Sequence, residues 1–176
     1  MPRLFFAIWP DAGAAQSLRA LALELASRAG GRAVPMEKIH LTLAFLGEVG
    51  AERADALVDA AGVVREAPFA MAFDQVGSFR RARVAWVGTA EPPQPLLRLQ
   101  SALDEALRAR GFALEARAFT PHVTLVRRVE RAVARERIEA IAWRAQEMAL
   151  VRSDLGSGGY STVATWPMKR TRADGA

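Results

Sequence analysis

Apolar residues along the chain fall into short runs and into helical spacings that together predict alternating strands and helices. Strands are predicted over residues 3–9, 39–46, 69–79, 83–89, 122–127, 145–155 and 160–166. Helices are predicted over residues 11–28, 51–65, 92–111 and 131–142, where apolar residues recur every three or four positions. Asp11 is the expected N-cap of the first helix, and Gly30-Gly31 is its expected end.

The order of these elements favours an α+β fold with largely antiparallel strands. Two strand pairs, 69–79 with 83–89 and 145–155 with 160–166, are separated by short turns and are typical of β-hairpins. Single strands between helices would also fit a parallel, doubly wound sheet, but the hairpins argue against it. No low-complexity linker interrupts the sequence, so we expect residues 1–176 to form a single domain.

Composition excludes several kinds of functional site. The chain has no cysteine and only two histidines, His40 and His122. Disulfides, thiolate metal sites, cysteine nucleophiles and a histidine-rich metal cage are therefore excluded. No apolar run approaches the roughly 18 residues of a membrane span, and the N-terminus lacks a signal-peptide pattern. We expect a soluble, cytoplasmic, monomeric protein with no metal, no cofactor and no membrane partner.

The formal charge of +5 weakly favours a polyanionic substrate. All but two of the 24 basic residues are arginines, which suit bidentate phosphate contacts, although GC-rich coding also produces an arginine excess. The densest basic cluster is Arg80, Arg81 and Arg83, within the predicted hairpin 69–89. It would either follow an RNA backbone or form a solvated hairpin tip.

A duplicated tetrapeptide is the most informative feature of the sequence. His40-Leu-Thr-Leu43 and His122-Val-Thr-Leu125 contain both histidines of the chain. Because threonine occurs only seven times, chance would place it two residues after both histidines in roughly one case in 600. A single histidine in an apolar strand is usually a packed residue, but duplication favours a functional role for this pair.

The spacing of the motif has a direct meaning on a β-strand. Side chains alternate between the two faces, so each histidine shares a face with its threonine, and the apolar residues anchor the other face. Two imidazoles at one substrate suit acid–base catalysis at phosphorus, since one can be neutral and the other protonated near neutral pH. The threonine hydroxyls could donate hydrogen bonds to phosphate oxygens. Glu37, Glu48 and Asp74 form no recognisable metal-ligand spacing with the histidines.

The sequence resembles the two-histidine (2H) phosphoesterases, and within them the RNA 2′,3′-cyclic phosphodiesterases, also known as 2′-5′ RNA ligase-like proteins. The resemblance extends over nearly the whole chain. It is carried by Arg3-Leu-Phe-Phe-Ala-Ile8, His40-Leu-Thr-Leu-Ala-Phe-Leu-Gly47, Gly77-Ser-Phe79, Arg83-Val-Ala-Trp-Val-Gly88, Thr120-Pro-His-Val-Thr-Leu-Val-Arg127, Leu150-Val-Arg-Ser153 and Tyr160.

The resemblance implies a bilobal, pseudo-twofold α+β fold, with two largely antiparallel sheets and outer helices around a central cleft. It implies hydrolysis of an RNA terminal 2′,3′-cyclic phosphate to a 2′-phosphate, with reversible 2′-5′ ligation as a further possibility. His40 resembles the proton donor and His122 the proton acceptor, and these roles exchange in the ligating direction. Thr42 and Thr124 would hold the phosphate. Two other readings stay open: an RNA- or nucleotide-binding protein without catalysis, and a cyclic phosphodiesterase for small nucleotides.

Three further residues are candidates for substrate binding. Arg127 matches the arginine that follows the second motif in the family, and Phe45 is a candidate platform for a base. Each lies three residues after its motif threonine, so it would face away from the cleft on a regular strand unless a bulge intervenes. Solvation of Arg127 and core packing of Phe45 are the alternatives. Tyr160, the only tyrosine, would contact either substrate or core.

Two neighbouring features also point towards the cleft. Lys38 precedes the first motif by two residues and shares its strand phase, so it could reach the cleft mouth. The segment Gly156-Ser-Gly-Gly159 lacks the Lys-Ser/Thr ending of a nucleotide-binding P-loop and is interpreted as a turn bordering the cleft.

Overall fold

The structure is a computed structural model that describes residues 3–154 and 158–169. Within these ranges the strands are β1 Arg3–Ile8, β2 Arg32–Ala33, β3 Leu41–Glu48, β4 Phe69–Phe79, β5 Val84–Gly88, β6 His122–Arg127, β7 Glu136–Ala145, β8 Glu147–Ser153 and β9 Tyr160–Pro167. The α-helices are α1 Ala12–Ala29, α2 Ala54–Gly62 and α3 Gln94–Arg108, and single 3₁₀ turns cover Met36–Lys38 and Ala51–Arg53.

The strands form two antiparallel sheets. The first has the order β3-β1-β8-β9, and the second has the order β2-β6-β5-β4-β7. Every strand pair within them is antiparallel, so the α+β prediction is confirmed and the doubly wound alternative is wrong. The two strands that begin at the motifs, β3 and β6, contact each other where the sheets meet.

The three helices follow the predicted apolar spacing. Asp11 caps α1, because its Oδ1 accepts the backbone N–H of Ala14 at 2.9 Å. Helix α1 packs against β6 and β7, whereas α2 packs against α3, and α3 contacts β3. The predicted apolar face of α3 is fully buried; it consists of Leu96, Leu99, Leu103 and Leu107. The second predicted helix is shorter than residues 51–65, since its first turn is 3₁₀ and α2 ends at Gly62.

The helix predicted over residues 131–142 is wrong, because this segment contributes the edge strand β7. Ile138 and Ile141 have the three-residue spacing of a helix face. In the structure a register irregularity opposite Asp74 separates them, since Phe73 pairs with Ile141 while Gln75 pairs with Arg137. Residues 138–140 of β7 therefore lie opposite the single residue Asp74, which interrupts the alternation of the strand and leaves the two isoleucines at a helical interval.

Other differences concern the ends of elements. The strand predicted over residues 145–155 is β8, Glu147–Ser153, and residue 155 lies outside the described residues, as do Gly156 and Ser157 of the predicted turn. The two-residue strand β2 was not expected from the sequence, because so short a segment has no periodicity of its own. Among the described residues, no helix combines the length and the apolar character needed to cross a membrane.

Leucines on the two faces of α1 provide a test of the packing. Leu25 is fully buried, while the side chain of Leu23 is 53% exposed. Leu25→Ala is therefore expected to lower the free energy of unfolding by about 2–5 kcal/mol, and the matched Leu23→Ala by less than about 0.5 kcal/mol. Chemical denaturation measures both values, and equal losses would contradict the described packing of α1.

Candidate active site

A bulge in β3 sets the direction of the residues that follow the first motif. Ala7 pairs with Thr42 and Phe6 pairs with Ala44, so Leu43 is the extra residue. Leu43 and Ala44 are accordingly both buried, although they are neighbours. The alternation of the strand shifts by one, and Phe45 returns to the face that carries Thr42. The core-packing alternative for Phe45 is wrong, since its side chain is 49% exposed.

The same bulge occurs at the equivalent position of β6. Trp86 pairs with Thr124 and Ala85 pairs with Val126, which leaves Leu125 as the extra residue. Leu125 and Val126 are both buried, whereas Arg127 is exposed. Arg127 therefore lies on the face of β6 that carries Thr124, as the second motif requires if this arginine is to reach a substrate.

Both histidines are oriented by the same backbone contact. The Nδ1 of His40 lies 2.7 Å from the carbonyl oxygen of Lys38, and the Nδ1 of His122 lies 2.8 Å from that of Thr120. A carbonyl only accepts hydrogen bonds, so Nδ1 carries the proton in each neutral ring and Nε2 is the basic nitrogen. The Nε2 of His40 accepts from the Thr42 hydroxyl at 3.1 Å.

Aromatic side chains enclose His40. Its ring stacks on Phe5 at 4.8 Å between centroids and meets Trp9 and Tyr160 edge-on at 5.3 and 5.6 Å. Burial lowers the pKa of His40 to about 4, despite the opposing hydrogen bond to the Lys38 carbonyl, and the positive charges of Arg127 and His122 contribute to the lowering. His40 is thus neutral in the free protein at neutral pH.

His122 has a different aromatic neighbourhood. The Phe79 ring meets it edge-on at 5.1 Å, and Phe79 in turn packs against Trp86 at 5.4 Å. Gly77 gives Trp86 the room to lie flat on the sheet, because a Cβ at this position would approach the indole ring to 2.5 Å. The two imidazoles therefore share their backbone contact but not their surroundings.

A cleft of about 760 Å³ brings together five of the seven candidate site residues. Those five are His40, Thr42, Phe45, Arg127 and Tyr160. His122 and Thr124 are not among its lining residues; they lie further back along β6, on the same strand as Arg127. His122 nevertheless lies near enough for its charge to lower the pKa of His40.

Lys38 and Tyr160 close one side of the cleft. The Nζ of Lys38 donates to the carbonyl of Gly158 and lies 5.6 Å from the centre of the Tyr160 ring. Both residues line the cleft, together with Gly158. The described part of the Gly156–Gly159 segment therefore borders the cleft, as predicted.

The basic cluster noted in the sequence, residues 80–83, lies outside the cleft. Arg80 and Arg81 are exposed residues of the turn between β4 and β5, and Arg83 donates to the carbonyl of Val129 at 3.2 Å. None of the three lines the cleft, so the solvated hairpin tip is the correct alternative. Sequence reasoning missed eight other lining residues, which are Arg3, Phe5, Arg32, Ala33, Val34, Pro35, Arg128 and Ser153.

The cleft is strongly basic. Five arginine or lysine residues line it, and the described lining includes neither aspartate nor glutamate. In residues 3–154 and 158–169, no group of three or more histidine, cysteine, aspartate or glutamate side chains is arranged to hold a metal ion. The arrangement suits a phosphate-bearing ligand held between basic and hydroxyl side chains.

The fold has two antiparallel sheets whose motif strands β3 and β6 contact each other, and the first motif lines a basic cleft, an arrangement that suits a phosphoesterase. The sequence matches the 2′-5′ RNA ligase superfamily over residues 7–157, and the chain belongs to this superfamily. Its relatives include RNA 2′,3′-cyclic phosphodiesterases. That of Escherichia coli K12 is 42% identical over 103 residues, which cover 58% of each chain, so the alignment spans less than two thirds of that relative.

Two further comparisons extend over more of the chain. The RNA 2′,3′-cyclic phosphodiesterase of Archaeoglobus fulgidus is 36% identical over 128 residues, which cover 71% of this chain and 72% of the relative. The crystal structure of E. coli LigT complexed with 3′-AMP superposes with a TM-score of 0.82 at 33% identity. The superposed residues cover 97% of this chain and 100% of the LigT chain.

The burial of His40 predicts an unusual titration. We expect its NMR signals to titrate near pH 4 rather than near the ordinary value of 6.5. Because the folded-state pKa is lowered, the unfolded chain binds this proton first as the pH falls. The free energy of unfolding therefore falls by about 3 kcal/mol in total as the pH is lowered from about 6.5 to about 4.

Comparison with His40→Gln isolates this effect. The unfolding free energy of the wild type minus that of His40→Gln should fall over this pH interval and stay constant above it. A His40 signal that titrates near pH 6.5, or a difference that does not change with pH, would contradict the described environment of the ring.

Proposed function

We propose that this chain hydrolyses the 2′,3′-cyclic phosphate at RNA ends to a 2′-phosphomonoester, with His40 and His122 as an acid–base pair. The observation that carries the proposal is the shared geometry of the two motifs. Each imidazole donates its Nδ1–H to a backbone carbonyl, and each keeps Nε2 for proton transfer. The names of the relatives, RNA 2′,3′-cyclic phosphodiesterases, support the choice of substrate.

The proposed reaction is a displacement at phosphorus. Nε2 of His122 takes a proton from water as the water oxygen forms a bond to phosphorus. The bond between phosphorus and O3′ breaks, and His40 gives its Nε2 proton to the departing oxygen. The product carries its phosphate on O2′, and the proton balance is restored when His122 releases its proton to solvent. A 5′-hydroxyl in place of water would give 2′-5′ ligation with the same histidine roles, because O3′ is again the departing oxygen. The roles exchange in the reverse reaction, in which the 3′-hydroxyl attacks the 2′-5′ linkage.

Thr42, Thr124 and Arg127 are proposed to hold the phosphate. Hydroxyl and guanidinium N–H groups donate to the non-bridging oxygens, where negative charge accumulates during displacement. The Thr42 hydroxyl already lies 3.1 Å from Nε2 of His40, so it would transfer its hydrogen bond from the imidazole to the substrate. The bulge in β6 supports the assignment of Arg127, because it turns this side chain to the threonine face.

The lowered pKa of His40 constrains its role as the acid. At neutral pH the ring is neutral in the free protein, so it must acquire a proton when substrate binds. The negative charge of a cyclic phosphate supplies the driving force, since a nearby opposite charge raises the pKa of an imidazole. Substrate binding and protonation of His40 are therefore coupled in this proposal.

Phe45 and Tyr160 are proposed to bind the terminal nucleoside. Phe45 is half exposed at the cleft, and an aromatic face stacks on any base. Tyr160 lies edge-on to His40 and would contact the sugar or base beside the reacting phosphate. In this arrangement residues 1–176 act as one domain whose two sheets flank one site.

The test uses a short RNA that ends in a 2′,3′-cyclic phosphate, incubated in the presence of EDTA. The expected product is the 2′-phosphate. His122→Ala and His40→Ala should each lower kcat by about 10²–10⁴-fold, because each removes one proton transfer. Thr42→Val should also lower kcat, because it removes a hydrogen-bond donor to the phosphate oxygens. Thr89→Val is its matched control, since Thr89 lies in the loop after β5 and outside the cleft lining.

The outcomes separate the proposal from its alternatives. Retained turnover in both histidine variants, a 3′-phosphate product or complete loss of activity in EDTA would each contradict it. Binding of the RNA without any turnover by the wild type would favour a binding protein instead.

A further inference from the structure

The cleft extends beyond the residues used in the proposed reaction. Along β1, Ala7 lies opposite Thr42, Phe5 opposite Phe45, and Arg3 opposite Glu48, so Arg3 lies about 7 Å beyond Phe5. On the second sheet, Arg32 and Arg128 lie beside Arg127 and also line the cleft. We call Arg3, Arg32 and Arg128 the arginine end of the cleft.

The charges of the arginine end are not paired with carboxylates. Among the described residues, Arg3, Arg32 and Arg128 form no salt bridge with a carboxylate. Six arginines that do form such bridges lie outside the cleft lining: Arg28, Arg98, Arg108, Arg117, Arg137 and Arg152. The described lining of the cleft contains no carboxylate, so no lining residue neutralises the charges of Arg32 and Arg128.

The backbone brings these like charges together at a cost. Arg32 lies directly opposite Arg127 in the β2–β6 pair, and like charges at opposed positions destabilise a sheet. Gly31 permits this approach, because with φ 94° its Cβ would lie 2.5 Å from the Arg127 carbonyl oxygen. Arg128 adopts a left-handed conformation, φ 58°, which lets two consecutive arginines line one cleft.

We propose that the arginine end binds the phosphodiester that precedes the terminal nucleotide of the RNA. This inference rests on the proposed function, in which Arg127 and the motif threonines hold the cyclic phosphate itself. A mononucleotide then leaves the arginine end empty, whereas a dinucleotide places its internal phosphate there. The preferred substrates would therefore be oligonucleotides, and free cyclic nucleotides would be poorer ligands.

The chemistry of the arginine end fits a phosphodiester. Arginine offers a planar fork of N–H donors that matches two phosphate oxygens, and its charge persists at any physiological pH. Phe45 and Tyr160 lie in the same cleft, where they are available to the intervening nucleoside. An internal phosphodiester carries one negative charge, which would relieve the repulsion between Arg32 and Arg127.

The experiment compares adenosine 2′,3′-cyclic phosphate with the dinucleotide ApA ending in a 2′,3′-cyclic phosphate. For the wild type at low salt, kcat/KM should be about tenfold or more higher for the dinucleotide. The plot of log kcat/KM against log salt concentration should be steeper for the dinucleotide, by about 0.7, because one more phosphate is contacted. Equal kcat/KM values for the two substrates would overturn the inference.

Two double variants with equal charge loss locate the effect. Arg32→Ala/Arg128→Ala should reduce the dinucleotide preference to about twofold or less. Arg80→Ala/Arg81→Ala, in the turn outside the cleft, should keep the wild-type preference. If the first variant keeps the full preference, or if both variants lose it equally, the arginine end does not bind the internal phosphate.

The inference can also be tested without turnover, by measuring how tightly the mononucleotide and dinucleotide products bind. Calorimetry measures Kd for adenosine 2′-monophosphate and for ApA with a terminal 2′-phosphate, and the dinucleotide should bind the wild type about tenfold more tightly. Absence of hydrolysis with this difference in Kd would contradict the proposed function and support the arginine end. Hydrolysis of both substrates without a difference in Kd or kcat/KM would contradict the arginine end alone.

Discussion

The bulge that follows each motif threonine decides what the cleft presents to a ligand. On a regular strand, a histidine and its threonine would share a face, and the residue three positions after the threonine would lie on the other face. The extra residues Leu43 and Leu125 shift this phase in β3 and β6. Phe45 and Arg127 then join the motif face while the core behind the strands stays closed. The presence of Phe45 and Arg127 in the cleft lining depends on this shift.

The two motifs share a backbone but differ in electrostatics. Both imidazoles donate to a carbonyl two residues upstream, so the chain fixes the same tautomer in each. Only His40 is enclosed by three aromatic rings, and its pKa falls accordingly. His40 is therefore neutral in the free protein at neutral pH and has to gain a proton before it can act as the proposed acid. The proposed coupling of substrate binding to His40 protonation follows from this difference.

Sequence patterns predicted well those features that depend on local periodicity. The capped helix α1, the buried leucine face of α3 and the β4–β5 hairpin are as expected, because each depends on spacing within one segment. The segment 131–142 was assigned to a helix because a bulge reproduced helical spacing in β7. A bulge is determined by pairing with a neighbouring strand, so a single segment carries no clear signal for it.

The basic lining of the cleft was likewise not predictable from local sequence patterns. Arg80, Arg81 and Arg83 are close together in the sequence and form a visible basic cluster there. Arg3 and Arg32 lie on different sheets and meet only at the cleft, so no local pattern marks them. Arg32 also depends on the close approach of Gly31 to the backbone of β6, which is a tertiary feature. The motif histidines and threonines could be proposed as site residues from the sequence, because the duplication is visible there.

The central claim is that His40 and His122 serve one phosphate in one cleft. NMR tests it directly, since the two histidines of the chain give two sets of imidazole signals. Titration with adenosine 2′-monophosphate should shift both sets along a single binding curve with one Kd, and the pKa of His40 should rise in the complex. A response from only one histidine, or two curves with different Kd values, would contradict the account.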